Sequence, residues 1–164
     1  MKKIDVSIVM GSTSDRSVMD LAAGLLKKFD VAYEIRILSA HRSPDDTAKY
    51  AKKAAARGIK VIIAGAGGAA HLAGVIASNT TLPVVGVPIK TSALKGIDSL
   101  LSTVQMPSGV PVGTMAIGEA GAKNAAIFAM EVLATKDLKL RAKLRNFKKK
   151  LQADVRKKDK GLRK

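Results

Sequence analysis

His41 and His71 are the only two histidines in this chain of 164 residues, and no other side chain in it ordinarily gives and takes a proton near neutrality. His41 stands in the polar run Ser39-Ala40-His41-Arg42-Ser43-Pro44, beside an arginine able to hold a phosphate or a carboxylate. His71 lies in the apolar run Gly65-Ala66-Gly67-Gly68-Ala69-Ala70-His71-Leu72, at a predicted helix start. A helix-end or core histidine and a ligand contact are both open readings there. The glycines of that run suit close packing of a helix on a sheet as well as they suit a ligand. A third run, Gly11-Ser12-Thr13-Ser14-Asp15, combines a turn glycine with a helix start, whose exposed amides attract an anion such as a phosphate. Ser12 and Ser14 add hydroxyl donors, and Asp15 offers an acceptor to ribose hydroxyls. Ser14 or Asp15 as a plain helix cap is the competing reading.

Other chemistries find little material. Without cysteine there is no disulfide, thiolate zinc site or cysteine nucleophile, and two histidines leave little for another transition metal. Ala70 stands where the last glycine of a dinucleotide fingerprint belongs, no P-loop lysine follows the glycines, and Lys90-Thr91 follows Ile89. No acidic pair suggests a glycosidase, and no nucleophile elbow is present. Gln105-Met106-Pro107, with Gly109 and Pro111, forms a stiff loop whose amide could read a heterocycle edge or serve only as a crossover.

These runs need elements to position them. Residues 4–10 read as a first strand, and Val18, Leu21, Ala22, Leu25, Leu26 and Phe29 give the following helix an apolar face. Tyr33 to Leu38 reads as a second strand. Ser43 is placed to cap a helix carrying Pro44 in its first turn, with Asp45 and Asp46 suiting the dipole, that runs to about Arg57 before Gly58. Lys60 to Ala64 is a continuous apolar strand of the doubly buried kind. A helix to about Ser78, a strand over Pro83 to Val87, a helix near Asp98 to Val104, a fifth extended run over Val112 to Ile117 and a helix over 121–134 complete the series. The rhythm predicts an α/β fold, a three-layer α/β/α sandwich on a central parallel sheet of flavodoxin- or Rossmann-like type. Such sheets bind ligands beyond the carboxyl ends of their strands, where the three polar or glycine-rich runs must gather.

The chain is long enough for one domain, and 47% hydrophobic content supplies its core. Its net charge of +16 is concentrated at the end: residues 136–164 hold 14 Lys and Arg against 3 Asp, whereas residues 1–135 have a net charge of only +5. Leu140, Leu144, Phe147, Leu151 and Val155 recur at helical steps among these lysines, predicting a C-terminal amphipathic helix that docks on its own domain or on a neighbouring subunit. The expected organisation is a catalytic domain over 1–135, with 136–164 as part of the same domain and the stretch from Lys157 frayed. Aromatic residues make up 3% of the chain, too few for base-stacking platforms, so nucleic acid is an unlikely partner. The beginning of the chain resembles neither a signal peptide nor a membrane span, which points to the cytoplasm.

Taken together, Gly11 to Asp15, Ser39 to Pro44, Ala64 to Leu72 and Asp98 to Pro107 resemble the PurE family over about Ile4 to Leu133. The GAGGAAHL run is similar to class I, the N5-carboxyaminoimidazole ribonucleotide mutases, more than to the class II carboxylases that use carbon dioxide directly. The resemblance implies an isomerase of purine (IMP) biosynthesis that works without ATP, metal or organic cofactor, as a homo-octamer with sites at subunit boundaries. It implies His41 as catalytic acid and base. Ser12, Asp15 and Arg42 would bind the ribonucleotide, with Ser14, Ser39, Gly67, Ala70, His71 and Leu72 at or near it.

Overall fold

The computed structural model describes residues 4–163. They fall into two compact units, divided between Ala129 and Met130. The first is built on five parallel strands: β1 (Val6–Met10), β2 (Tyr33–Ile37), β3 (Val61–Gly67), β4 (Val84–Ile89) and β5 (Gly113–Thr114). Between them run α1 (Arg16–Lys28), α2 (Pro44–Ala54), α3 (Leu72–Ala77) and α4 (Ile97–Val104), and α5 (Glu119–Leu133) follows β5. The strand order β2-β1-β3-β4-β5 is that of a flavodoxin-like α/β sandwich, as the rhythm of the sequence predicts.

All five residues of β1 are buried, as a central parallel strand with helices on both faces requires. On one face Val9, Ile62 and Ala64 pack with Tyr50, Ala51 and Ala54 of α2 and Leu72, Ala73 and Ile76 of α3. Each large aliphatic side chain so buried contributes about 1.5–3 kcal/mol. On the other face α1 approaches so closely that a Cβ on Gly65 would stand 2.4 Å from Met19 Sδ, so this glycine is needed for helix-on-sheet packing. The buried face of α1 is Met19, Ala22, Ala23 and Leu26, about one position from the stripe read in the sequence, and Val18, Leu21 and Leu25 are half-buried.

One polar network crosses this core. Ser7 of β1 shares a hydrogen bond with the Tyr50 hydroxyl, which donates to Glu34 Oε1 at 2.5 Å, and Arg57 grips the same carboxylate through Nη1 and Nη2 at 3.0 and 2.6 Å. Burial, reinforced by the Glu34 acceptor, pushes the Tyr50 hydroxyl up to about 12. Burial also acts to raise Glu34, but the bonds from Arg57 and Tyr50 outweigh it and hold the carboxyl below its ordinary value.

Several boundaries differ from those read in the sequence. β3 runs on to Gly67, because Ala66 and Gly67 continue the ladder with Pro88 and Ile89 of β4. β5 shrinks to Gly113–Thr114, which pair with Val85 and Gly86 at the sheet edge where only one neighbour is available. Ser43 stands at the N-cap of α2, but its hydroxyl turns back to the Ser39 backbone, donating to the carbonyl at 3.2 Å and accepting from the amide at 3.1 Å, and caps nothing.

In the second unit, α6 (Leu138–Leu162) begins at Asp137, whose side chain accepts from the Leu140 amide at 3.0 Å. Leu140 and Leu144 are buried, while Leu151 and Val155 are exposed. The fraying expected from Lys157 is corrected as far as Leu162: the helix continues through Gly161, with Arg156, Lys157, Lys158 and Lys160 as good helix formers and an Asp159–Arg163 ion pair four residues apart. No helix among the described residues is long and apolar enough to cross a membrane.

Candidate active site

The chain passes from β1 to its neighbour β2 on one side, and later returns to place β3 on the other side of β1. The loops after β1 and β3 therefore diverge and leave a crevice at the carboxyl edge of the sheet. A cavity of about 480 Å³ occupies it. The loop after β1 contributes Gly11, Ser12, Ser14 and Asp15, and that after β2 contributes Ser39, Ala40, His41 and Arg42. Ala66, Gly67, Ala69 and Leu72 come from β3 and its loop, and Ile89, Lys90 and Thr91 from the end of β4.

In the first loop Ser12 is the cap, its hydroxyl accepting from the Ser14 amide at 3.3 Å. Asp15 stands at the N-cap position of α1 but makes no side-chain cap bond. It is 7% exposed, and its carboxylate accepts from the Ser14 hydroxyl at 3.3 Å. Burial pushes this carboxyl up, against the opposing pull of the Ser14 hydroxyl, a backbone hydrogen bond from Ser12 and the charge of Arg42.

Arg42 is oriented before any ligand arrives. Its Nη2 donates to the Gly11 carbonyl at 2.9 Å, and its amide and Nε donate to the Ser39 hydroxyl at 3.1 and 3.4 Å. The guanidinium thereby ties the second loop to the first and keeps further donors toward the cavity. His41 Nε2 lies 2.8 Å from Nδ1 of His71, the rings meeting edge to face at 77° with centroids 4.9 Å apart. When both rings are neutral one nitrogen of this pair donates and the other accepts, so a proton on either imidazole has a second imidazole beside it.

Of the residues singled out in the sequence, eight line the cavity: Ser12, Ser14, Asp15, Ser39, His41, Arg42, Gly67 and Leu72. His71 is exposed at the N-cap of α3 and reaches the site through His41, which corrects the core reading of that histidine. Ala70 is buried, and its side chain does not line the cavity. Gln105 lies at the C-cap of α4 and does not line the cavity. Ile89, Lys90 and Thr91 also line it; in the sequence Lys90-Thr91 was weighed only as a P-loop match, and the remaining signal of the three was a position at the end of the fourth strand. Among the described residues no three His, Asp or Glu side chains stand together as metal ligands.

Comparison with known proteins gives this arrangement its relatives. The family model described as AIR carboxylase matches residues 5–154. A protein of Pyrococcus horikoshii named N5-carboxyaminoimidazole ribonucleotide mutase is 58% identical, over 96% of this chain and 88% of its own. Proteins with the same name from Vibrio parahaemolyticus, 59% identical over 87% of this chain and 89% of theirs, and from Mycobacterium leprae, 54% identical over 94% and 89%, agree. The crystal structure of Treponema denticola PurE superposes with a TM-score of 0.87 at 25% identity, covering 97% of this chain and 98% of that one. With a family model spanning nearly its whole length and relatives above half identity, the chain belongs to the AIR carboxylase family, that of the PurE enzymes.

Proposed function

We propose that this protein is an N5-carboxyaminoimidazole ribonucleotide mutase, converting that compound to 4-carboxyaminoimidazole ribonucleotide in purine synthesis with His41 as acid and base. The names of its relatives at 54–59% identity support the reaction. One observation carries the site: the His41–His71 pair stands at a cavity whose neighbouring loops supply an oriented arginine, the serine hydroxyls of Ser12 and Ser14 and a buried carboxylate.

The chemistry balances with those groups. Protonated His41 gives its proton to the exocyclic nitrogen as the N–C bond breaks, releasing carbon dioxide and neutral aminoimidazole ribonucleotide. The electron-rich ring carbon attacks the same carbon dioxide, forming the C–C bond. His41, now neutral, removes the hydrogen from that carbon and returns to its starting state. His71 holds the ring of His41 in place and can share the proton between the two events. Arg42 and the Ser12–Asp15 loop hold phosphate and ribose. The wall formed by Ala66, Gly67, Ala69 and Leu72 encloses the released gas, which turns a bimolecular encounter into a local one.

The same reading places the enzyme in the cytoplasm and assembles it as a homo-octamer. Leu94, Ile97, Leu101 and Val104 support self-association: they lie along one side of α4 and its approach, each about half exposed, an apolar stripe of the kind that can mark an interaction surface. A carbon label in the N-bound carboxyl tests the reaction, and we expect it in the product even when unlabelled bicarbonate is abundant. Formation of product from aminoimidazole ribonucleotide and bicarbonate alone, with the label lost, would establish direct carboxylation instead. His41→Asn should lower turnover by about 10²–10⁴-fold while ribonucleotide binding persists; near-normal turnover would remove His41 from the mechanism.

A further inference from the structure

The cavity wall carries two permanent cations, Arg42 and Lys90. Arg42 is already engaged with Gly11 and Ser39. The Lys90 ammonium has no hydrogen-bond or ion-pair partner among the described residues, although the backbone beneath it is held on every side. Ser99 donates to the Ile89 carbonyl at 2.7 Å, and the Thr91 hydroxyl donates to Asp98 at 2.9 Å. Gly96, at φ 97°, passes so close that a Cβ on it would lie 3.2 Å from the Lys90 Cα. Lys90 is exposed, but it stands on a fixed base at the cavity wall with its charge uncommitted, which leaves it available to an anion bound there.

Its position is complementary to that of Arg42. The guanidinium donates to Gly11, just beyond β1, whereas Lys90 stands just beyond β4, and only β3 separates those strands. Two interstrand steps amount to about 9–10 Å, comparable to the span of a ribonucleotide from its phosphate to the far side of its base. The substrate of the reaction proposed above has two anionic groups, a phosphate and a carboxyl on the heterocycle. We infer, resting on that reading, that Lys90 binds the migrating carboxyl group while Arg42 holds the phosphate. The flexible four-carbon stem of a lysine lets its charge follow the carboxyl from nitrogen to carbon, which a planar, anchored guanidinium could not do. Substrate and product share this contact, and neutral carbon dioxide lacks it. Lys90 therefore acts as a positioning and specificity residue, setting KM and discrimination rather than the proton transfers.

Two ribonucleotides that differ only in that carboxyl, 4-carboxyaminoimidazole ribonucleotide and aminoimidazole ribonucleotide, test the inference by calorimetric titration of the whole protein. Lys90→Ala should weaken the carboxylated ligand about tenfold or more, the loss expected for a charge-assisted bond, and leave the other within about twofold. Lys90→Arg should recover most of the difference, and in turnover Lys90→Ala should raise KM with little change in kcat. Equal weakening of both ligands, or no weakening of either, would overturn the inference. Failure of the unaltered protein to bind either ribonucleotide would instead refute the functional reading and this one with it.

Discussion

Gly65→Ala tests the packing that joins the catalytic loops to the sheet. The added methyl carbon would stand 2.4 Å from Met19 Sδ and 3.0 Å from both its Cγ and Cε, so the whole end of that side chain must move. Met19 is fully buried, so its side chain cannot swing out into solvent without repacking its neighbours. Overpacking of this kind costs about 1–3 kcal/mol, and at about 2–4 °C per kcal/mol for a chain of this size the melting temperature should fall by about 2–12 °C. Met19→Ala alone should cost about 2–5 kcal/mol through the cavity it opens. In the double variant the new methyl occupies part of that cavity, so the two losses should fall short of additivity by about 1 kcal/mol or more. Urea unfolding of the four proteins completes the cycle. Additive losses, or a Gly65→Ala protein as stable as the parent, would refute the close approach of α1 to β3. Because Asp15 leads directly into α1 and the Gly65 carbonyl accepts from the Gly11 amide at 3.2 Å, Gly65→Ala should also weaken ribonucleotide binding.

Asp15→Asn should raise the melting temperature of the ligand-free protein at pH 7 while weakening ribonucleotide binding. Burial raises this carboxyl, so its contribution to stability is fully present below its ordinary value of 3.8 and is lost as pH rises through the higher folded value; an unchanged or lower melting temperature would contradict the burial argument. Glu34 behaves oppositely. Despite burial its bonds to Arg57 and Tyr50 lower it, so its stabilisation is present above 4.5 and lost as pH falls through the lower folded value. Glu34→Gln should cost about 1–3 kcal/mol at neutral pH and flatten the acid limb of a stability profile. Arg42→Lys keeps the charge but loses the bridge from Gly11 to Ser39, and should weaken both the carboxylated and uncarboxylated ribonucleotides about equally, by about tenfold or more in titration.

The strand-and-loop order was legible because doubly buried parallel strands are unbroken apolar runs, and polar or glycine-rich loops punctuate them. Those loops carried eight of the site residues, and their gathering at one rim follows from parallel strands alone. Lys90 and Thr91 were weighed only as a P-loop match and set aside, because no glycine run or cap marks the end of β4. Their place beside the cavity comes from β4 lying next to β3, a fact of strand order rather than of local sequence. His71 stayed open between a helix-end or core place and a ligand contact because its neighbours are apolar: Ala70 and Leu72 are buried, and the start of α3 turns the side chain between them outward to meet His41. Ser43 was read from a cap's position, and the hydroxyl found nearer partners in the Ser39 backbone.

All loops that line the cavity leave the sheet from one rim, so the turns entering β2, β3 and β4 lie at the other. The turn around Ser78 to Thr81 is among them, with Ser78 and Thr81 exposed. A fluorophore, affinity handle or surface tether attached there would stand a full strand length from the reaction chamber, leaving the chain open to immobilisation or optical readout without obstructing the entry of substrate.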